Sequence, residues 1–328
     1  MWDDESPQDH KPKEGCLMAD IIAGRKAISK FFYQYGFGEK LSSVPQKRLT
    51  EIICGLAMKG NQSKTTDFAE LNQGFRTTYG HFLSKGKWDE QKVSQQQQTE
   101  ALRKADELAL AKGTPIYLSI PENGSKIDMA VQLLDTLPET DTRVILQMDS
   151  WYTCKALWDK ALEKKITLIG AMKTNRILYP NGLRCSAQDH AAMLPNGQYH
   201  LVTVGGHEYW IHRYEGALNG IDNAVVLLSY PKAAFGSKKA LRVFICSDLG
   251  LSDWEILSHY THRWKIEVMF KQQKMYMGLK SFMVRSAIAI DRLFVILPLA
   301  HLFFIVLFDA SLSLSAAIRR FRSLLCSF

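Results

Sequence analysis

The stretch HYTHRWKIEVMFKQQKM, residues 259–275, sets a single carboxylate, Glu267, among Arg263, Lys265, Lys271 and Lys274. Such a run reads either as a solvated basic helix or as a metal-ligating carboxylate held beside a phosphate backbone. A helix advances about 100° per residue, which puts Arg263 about 300°, Glu267 about 340° and Lys274 about 320° around from Tyr260. The four residues are therefore expected to share one face. A carboxylate on that face can ligate a divalent metal, Arg and Lys can hold phosphate oxygens, and a tyrosine can stack or hydrogen-bond beside them.

A second carboxylate candidate, Asp149, closes the apolar run RVILQMD (143–149). Open α/β sheets bind ligands outside the carboxyl ends of their strands, so an acid there suits a functional site. The same position also suits the N-cap of a helix beginning near Trp151.

The elements that must position these acids alternate. Residues 88–112 read as one long amphipathic helix ended by Gly113. The strand TPIYLSI (114–120), the helix SKIDMAVQLLDTLP (125–138), the strand RVILQMD, the helix WYTCKALWDKALEKK (151–165) and the strand ITLIGAMK (166–173) follow. This β-α-β-α-β order predicts an α/β sheet with helices on its faces. RVILQMD is apolar apart from Gln147, which predicts a central strand. From 176 to 244 the pattern changes to short alternating β segments, QYHLVTV, HEYWIHRY, NAVVLLSY and LRVFICS, separated by Asn-Gly and Gly-Gly turns. This block reads as a β-rich insertion, and the chain turns helical again after Asp248. Upstream, residues 45–58 read as a helix broken at Gly60-Asn61, and Thr66-Asp67 suits the cap of a short helix, FAELNQGF. That pair fits a DNA-binding helical unit or plain helical packing.

The 328 residues suit two domains, or one core with an insertion and flanking helices. A net charge of +8 favours a polyanionic partner. The six cysteines form no CxxC pair and no Cys/His zinc spacing, which fits free thiols in a reducing cytosol. Residues 1–15 are polar and charged, unlike a signal peptide. The apolar run LFVILPLAHLFFIVLF (293–308) is shorter than the ~20 residues of a membrane span and holds Pro298 and His301, so a buried C-terminal helix is expected and no membrane partner.

MDSWY around Asp149, GAMKTNR (170–176) and the spacing Tyr260-x2-Arg263-x3-Glu267-x6-Lys274 resemble the DDE transposases of bacterial insertion sequences, in the group with a Tyr-Arg-Glu-Lys signature. The resemblance runs from about Arg76, where RTTYGHFLSKGKWD is also similar, to about Lys280. It implies an N-terminal helical, DNA-binding region (1–98), an α/β ribonuclease H-like core (99–280) with its β-rich insertion at 176–244, and a C-terminal helical segment (281–328). It also implies two divalent metals, Mg²⁺ or Mn²⁺, about 3.5–4 Å apart, clamping a scissile phosphate for in-line attack by water or a 3′-hydroxyl. Asp149 would be the second acid of the triad and Glu267 the third. Tyr260, Arg263 and Lys274 would grip the DNA ends, and Trp210 either stacks on a displaced base or belongs to the core. The implied partners are double-stranded DNA, as terminal inverted repeats and target, and a second copy of the chain in a homodimer, in the bacterial cytoplasm at the nucleoid.

The chain departs from this pattern at the first acid. The family's first Asp follows the first core strand; here Pro121 stands in its place, and TPIYLSI runs almost directly into the next helix. An internal deletion that removed the first acid and two edge strands is inferred. Glu122 and Asp128 are the nearest substitutes. Loss of a bridging carboxylate is expected to lower two-metal catalysis by orders of magnitude, leaving an impaired transposase, a non-catalytic DNA-binding derivative or a decayed remnant. Missing edge strands would expose an unpaired ladder.

Overall fold

Apolar residues at helical spacing dictate the N-terminal elements, and β-branched runs dictate the sheet that follows. The computed structural model of the chain describes residues 17–119, 127–279, 281–282, 284–308 and 312–325. Pro121 and Glu122 lie outside the described residues. The chain divides into two compact units, one of Met1–Ala101 with Met269–Phe328, the other of Leu102–Val268. The segments 1–98 and 281–328, expected as separate regions, thus fall in one unit.

That helical unit begins with α1 (Leu17–Gln34), α2 (Phe37–Lys40), α3 (Ser43–Lys59), α4 (Thr65–Leu71), α5 (Arg76–Lys85) and the start of α6 (Glu90–Lys112). Leu49, Ile52, Ile53 and Leu56 of α3 are fully buried, as their spacing requires. The short helix expected at 68–75 is displaced: α4 starts at Thr65, and Asp67 sits inside it, accepting the Lys64 backbone N–H at 2.7 Å. It stops at Leu71 because Asn72 Nδ2 takes the Phe68 carbonyl at 2.6 Å and Gln73 enters the left-handed region at φ 51°.

The other unit holds β1 (Ile116–Ser119), α7 (Ile127–Asp135), β2 (Val144–Met148), α8 (Lys155–Glu163), β3 (Thr167–Met172), β4 (Ile177–Leu178), β5 (Cys185–Ser186), α9 (Ala187–Met193), β6 (His200–Val204), β7 (His207–Leu218), β8 (Ile221–Pro231), β9 (Arg242–Cys246), α10 (Asp253–Thr261) and the start of α11 (Trp264–Tyr276). All nine described strands join one sheet in the order β1-β2-β3-β9-β8-β7-β4-β5, with β6 paired to β7. β1, β2 and β3 are parallel, and β9 is antiparallel to both β3 and β8. The block 176–244 is therefore no separate insertion in its pairing; it continues the core sheet through β8 and β9. Alternation along the strands sorts the core into two faces. Leu146, Met148, Leu168, Val226, Leu228, Val243 and Ile245 pack with α7, α8 and α9 on one face. Ile145, Ile169, Val225, Leu227 and Cys246 pack with Ile256 and Leu257 of α10 on the other. Gly170 is required by close approach, since a Cβ there would meet Met148 Cγ at 2.7 Å.

The chain returns to the helical unit with α12 (Ala287–Phe308) and α13 (Leu314–Leu325). α12 is longer than the apolar run alone suggests, and it is long and apolar enough to cross a membrane by length and composition. Here Leu293, Ile296, Leu297, Ala300, Phe303 and Phe304 are buried in a core shared with α1, α3, α5 and α13. The buried Arg292 donates to the Phe82 and Leu83 carbonyls at 3.0 and 3.3 Å, pairs with Glu90 at 3.3 Å and lies over the Trp88 ring. It thereby satisfies carbonyls at the end of α5 where a cation is favoured.

His301 of α12 has an Nδ1 without a hydrogen-bond partner among the described residues, and burial pushes its pKa down from 6.5 to about 4. The folded chain keeps it neutral while the unfolded chain takes up a proton below pH 6.5, so stability falls as pH drops from 6.5 toward 4. At pH 5 this term costs about 2 kcal/mol. His301→Phe is expected to narrow the gap between the melting temperatures at pH 7 and pH 5 by several degrees, as a thermal melt at both values would read; an unchanged gap would contradict it.

Candidate functional site

The carboxyl ends of the three parallel strands place the first acid. Asp149 follows β2 directly and is buried at 7% exposure. Period-two alternation sets Ile145, Gln147 and Asp149 toward one face, and Ile145 packs there with α10. Asp149 does not cap the next helix. That helix starts at Lys155 with Cys154 as N-cap, rather than near Trp151. Asp149 Oδ1 instead accepts the Trp151 N–H at 2.9 Å in a tight turn, and Thr153 Oγ1 donates to the Ala171 carbonyl at 2.6 Å. With Tyr152 buried in the core, residues 151–154 are held as a loop.

Helix α10 precedes the second acid in the chain and packs on the sheet face that carries Ile145. Its start is fixed by a capping box in which Ser252 Oγ accepts the Glu255 N–H and Glu255 accepts the Ser252 N–H. Arg213 of β7 reinforces that start, meeting Asp253 Oδ1 at 2.8 Å and the Leu251 carbonyl at 2.9 Å. Before it, Asp248 pairs with Arg143 at the head of β2. The end of α10 is fixed by Gln147, which is fully buried. Its Nε2 donates to the His259 carbonyl, and its Oε1 accepts from Ser119 Oγ at 2.9 Å. Tyr117 OH and His259 Nδ1 share a hydrogen bond of 2.8 Å, and the Tyr117 ring stacks on His262 with centroids 4.3 Å apart and planes 6° apart. Burial lowers the His259 pKa, helped by the Arg143 and His262 charges, and raises that of Tyr117. α10 is thus held at its start by Arg213 of β7 and at its end by β1 and β2.

This clamp breaks the helix that the 259–275 stretch was expected to form. α10 ends at Thr261, a turn occupies His262 and Arg263, and α11 begins at Trp264. The uniform helical step does not carry across that turn, so Tyr260, Arg263, Glu267 and Lys274 are not one helical stripe. Three of them still meet. Arg263 lies 6.0 Å from the Tyr260 ring centroid and its Nη2 stands 3.3 Å from Glu267 Oε1. Tyr260 packs on Phe244 of β9 with centroids 4.8 Å apart. Lys274 is exposed on the part of α11 assigned to the helical unit. Trp210 is not brought to the acids. It lies on β7, four strands from β2 in sheet order or about 19 Å at ~4.8 Å per strand, and it packs on Phe235 in the core of the opposite face. Asp128 sits on α7, which also packs on that opposite face.

The sequence reading missed Tyr117, His259 and His262 as positioning groups. The signal available was Gln147, the one polar residue in an apolar strand. Among the described residues, no group of three or more His, Cys, Asp or Glu side chains gathers to hold a metal. β1, the strand beside Asp149's own, carries only Ile116, Tyr117, Leu118 and Ser119.

The family model of the transposase DDE domain matches residues 74–303, more than half of the chain. No curated protein matches it.

Gln147→Leu would leave the half-buried Ser119 hydroxyl and one bond of the half-buried His259 carbonyl unmet, at a cost of up to about 1–3 kcal/mol. The melting temperature of the full chain is expected to fall by roughly 2–10 °C. A melt identical to wild type would show that the clamp does not hold α10.

Proposed function

The chain belongs to the transposase DDE domain family, and on that premise we propose that it is an insertion-sequence transposase that binds double-stranded DNA at element ends and is impaired in metal-dependent strand cleavage. The observation that carries this reading is the donor set. The family normally uses divalent metals. A two-metal clamp needs carboxylates that bridge and flank both ions. Asp149 and Glu267 are the two acids that the resemblance assigns to the metal site, and among the described residues no group of three or more His, Cys, Asp or Glu side chains gathers. Asp149 already accepts a backbone N–H, and Glu267 is half-exposed and paired with Arg263. These residues do not fit a two-metal clamp, and no cleavage step is assigned to them.

The sheet order supports a ribonuclease H-like core that has lost strands. β1 stands at the edge of the described sheet, and only residues 120–126 separate it from α7. An internal deletion past Ser119 accounts for both the missing acid and the bare edge. Tyr260, Arg263 and Lys274 are assigned to DNA, Asp149 and Glu267 to what remains of the metal site, and Trp210 to packing. The protein acts as a homodimer on paired ends, in the bacterial cytoplasm at the nucleoid. The second reading, a non-catalytic protein that occupies element ends, draws on the same donor set. The two apolar cores and the clamped α10 speak against a decayed remnant.

The decisive assay incubates a supercoiled plasmid carrying the terminal repeats with Mg²⁺ or Mn²⁺ and measures binding to the same repeats. Binding without nicking is expected. Nicking that disappears in Glu267→Ala would contradict the impairment. Arg263→Ala is expected to weaken duplex binding and to reduce the slope of log K against log salt by about 0.9. Glu267→Ala frees Arg263 from a surface pair worth about 0.2–1 kcal/mol, so binding should tighten up to about fivefold at low salt. An unchanged slope in the first variant, or weaker binding in the second, would remove Arg263 from the DNA contact.

A further inference from the structure

We propose that Trp151 and Lys173 form a stacking platform for an unpaired nucleotide at the carboxyl end of the sheet, beside Asp149. This rests on the DNA-handling reading above and adds a substrate feature to it. Trp151 is 67% exposed although it is the largest apolar side chain type. Its main chain is not loose, because its N–H donates to Asp149 Oδ1 at 2.9 Å and its neighbour Tyr152 is buried. The turn therefore presents the indole to solvent from a fixed base. Lys173 directly follows β3, the strand paired with the one that ends just before Asp149. Its Nζ stands 4.7 Å from the indole centroid. At that distance the ammonium is attracted to the ring face and restrains its orientation. Lys173 is exposed, so its charge can reach a phosphate in solvent. Trp254 is also exposed, but its Nε1 is committed to the Thr203 carbonyl at 3.1 Å.

An oriented, exposed indole with a cation against it has the two features that bind single-stranded nucleic acid, a π-face for the base and a positive charge for its backbone. A base inside a duplex has both faces covered by its neighbours. Only an overhanging, frayed or unpaired base can stack on Trp151. The platform thus discriminates DNA with an unpaired base from blunt duplex, without reading sequence.

The test is fluorescence anisotropy of the full chain with a blunt duplex, the same duplex with a short single-stranded overhang, and that overhang made abasic. The wild type is expected to bind the overhang about ten- to a hundredfold tighter than the blunt or abasic form. Trp151→Ala should lose that preference, Trp151→Phe should keep most of it, and Lys173→Gln should lower the salt slope on the overhang by about 0.7. A wild type that binds all three alike overturns the platform, as does a Trp151→Ala variant that melts like wild type and keeps the preference. If Trp151→Ala does not fold, an unchanged salt slope in a folded Lys173→Gln overturns it equally. A wild type that binds no DNA at all removes the DNA-handling reading itself, an outcome distinct from duplex binding without preference.

Discussion

A single buried amide ties the strand that leads into Asp149 to the end of α10. Gln147 lies between apolar neighbours on β2 and gives its N–H to the His259 carbonyl at the end of α10. In a continuous helix that carbonyl would accept from the N–H four residues on, at Arg263. Instead His262 N–H reaches it at 3.0 Å, and Arg263 N–H turns to the Tyr260 carbonyl, also at 3.0 Å. The amide thus docks α10 on the sheet and ends it at once. The turn that follows lets Arg263 fold back over Tyr260 while reaching forward to Glu267. Two residues along the same strand from Gln147, Asp149 emerges at the carboxyl end of the sheet. A buried polar group left unmatched is costly, and this requirement makes the placement of α10 specific.

Much of the scaffold was legible because its causes are local. The alternation of TPIYLSI, RVILQMD and ITLIGAMK with helical segments gave three parallel strands with crossover helices, because period and length separate strand from helix. Gly113, at φ 61°, ends α6 where the sequence placed the stop. The helix break at His262 was not legible, because no Pro or Gly marks it. It arises from Gln147 and Tyr117, more than a hundred residues away, and tertiary contacts of that kind override helical propensity. The continuity of the 176–244 block with the core sheet was hidden for a similar reason. Hairpin patterns reveal strands and turns, whereas the pairing of β9 with both β3 and β8 is a long-range event.

The candidate site was legible in its residue types and less so in its arrangement. Strand-end position and motif spacing single out Asp149 and Glu267 as candidates, and Arg263 meets both Tyr260 and Glu267 across the turn. Trp210 illustrates the limit of residue type alone. An aromatic on a β segment can face a ligand or a core, and here Phe235 claims it. The exposed indole next to Asp149 belongs to Trp151 of the same MDSWY motif. The apolar run of α12 was legible as a buried helix: its residues fill a helical core around Arg292, although its length and composition would also fit a membrane span.

In the proposed function, Asp149 and Glu267 are an incomplete carboxylate set. A Mn²⁺ titration followed by electron paramagnetic resonance counts bound ions without depending on DNA or turnover. The wild type is expected to bind no pair of tightly held Mn²⁺ ions and to differ little from Asp149→Ala or Glu267→Ala. Two bound ions per chain that are lost in both variants would contradict it and would mean that a further ligand completes the site.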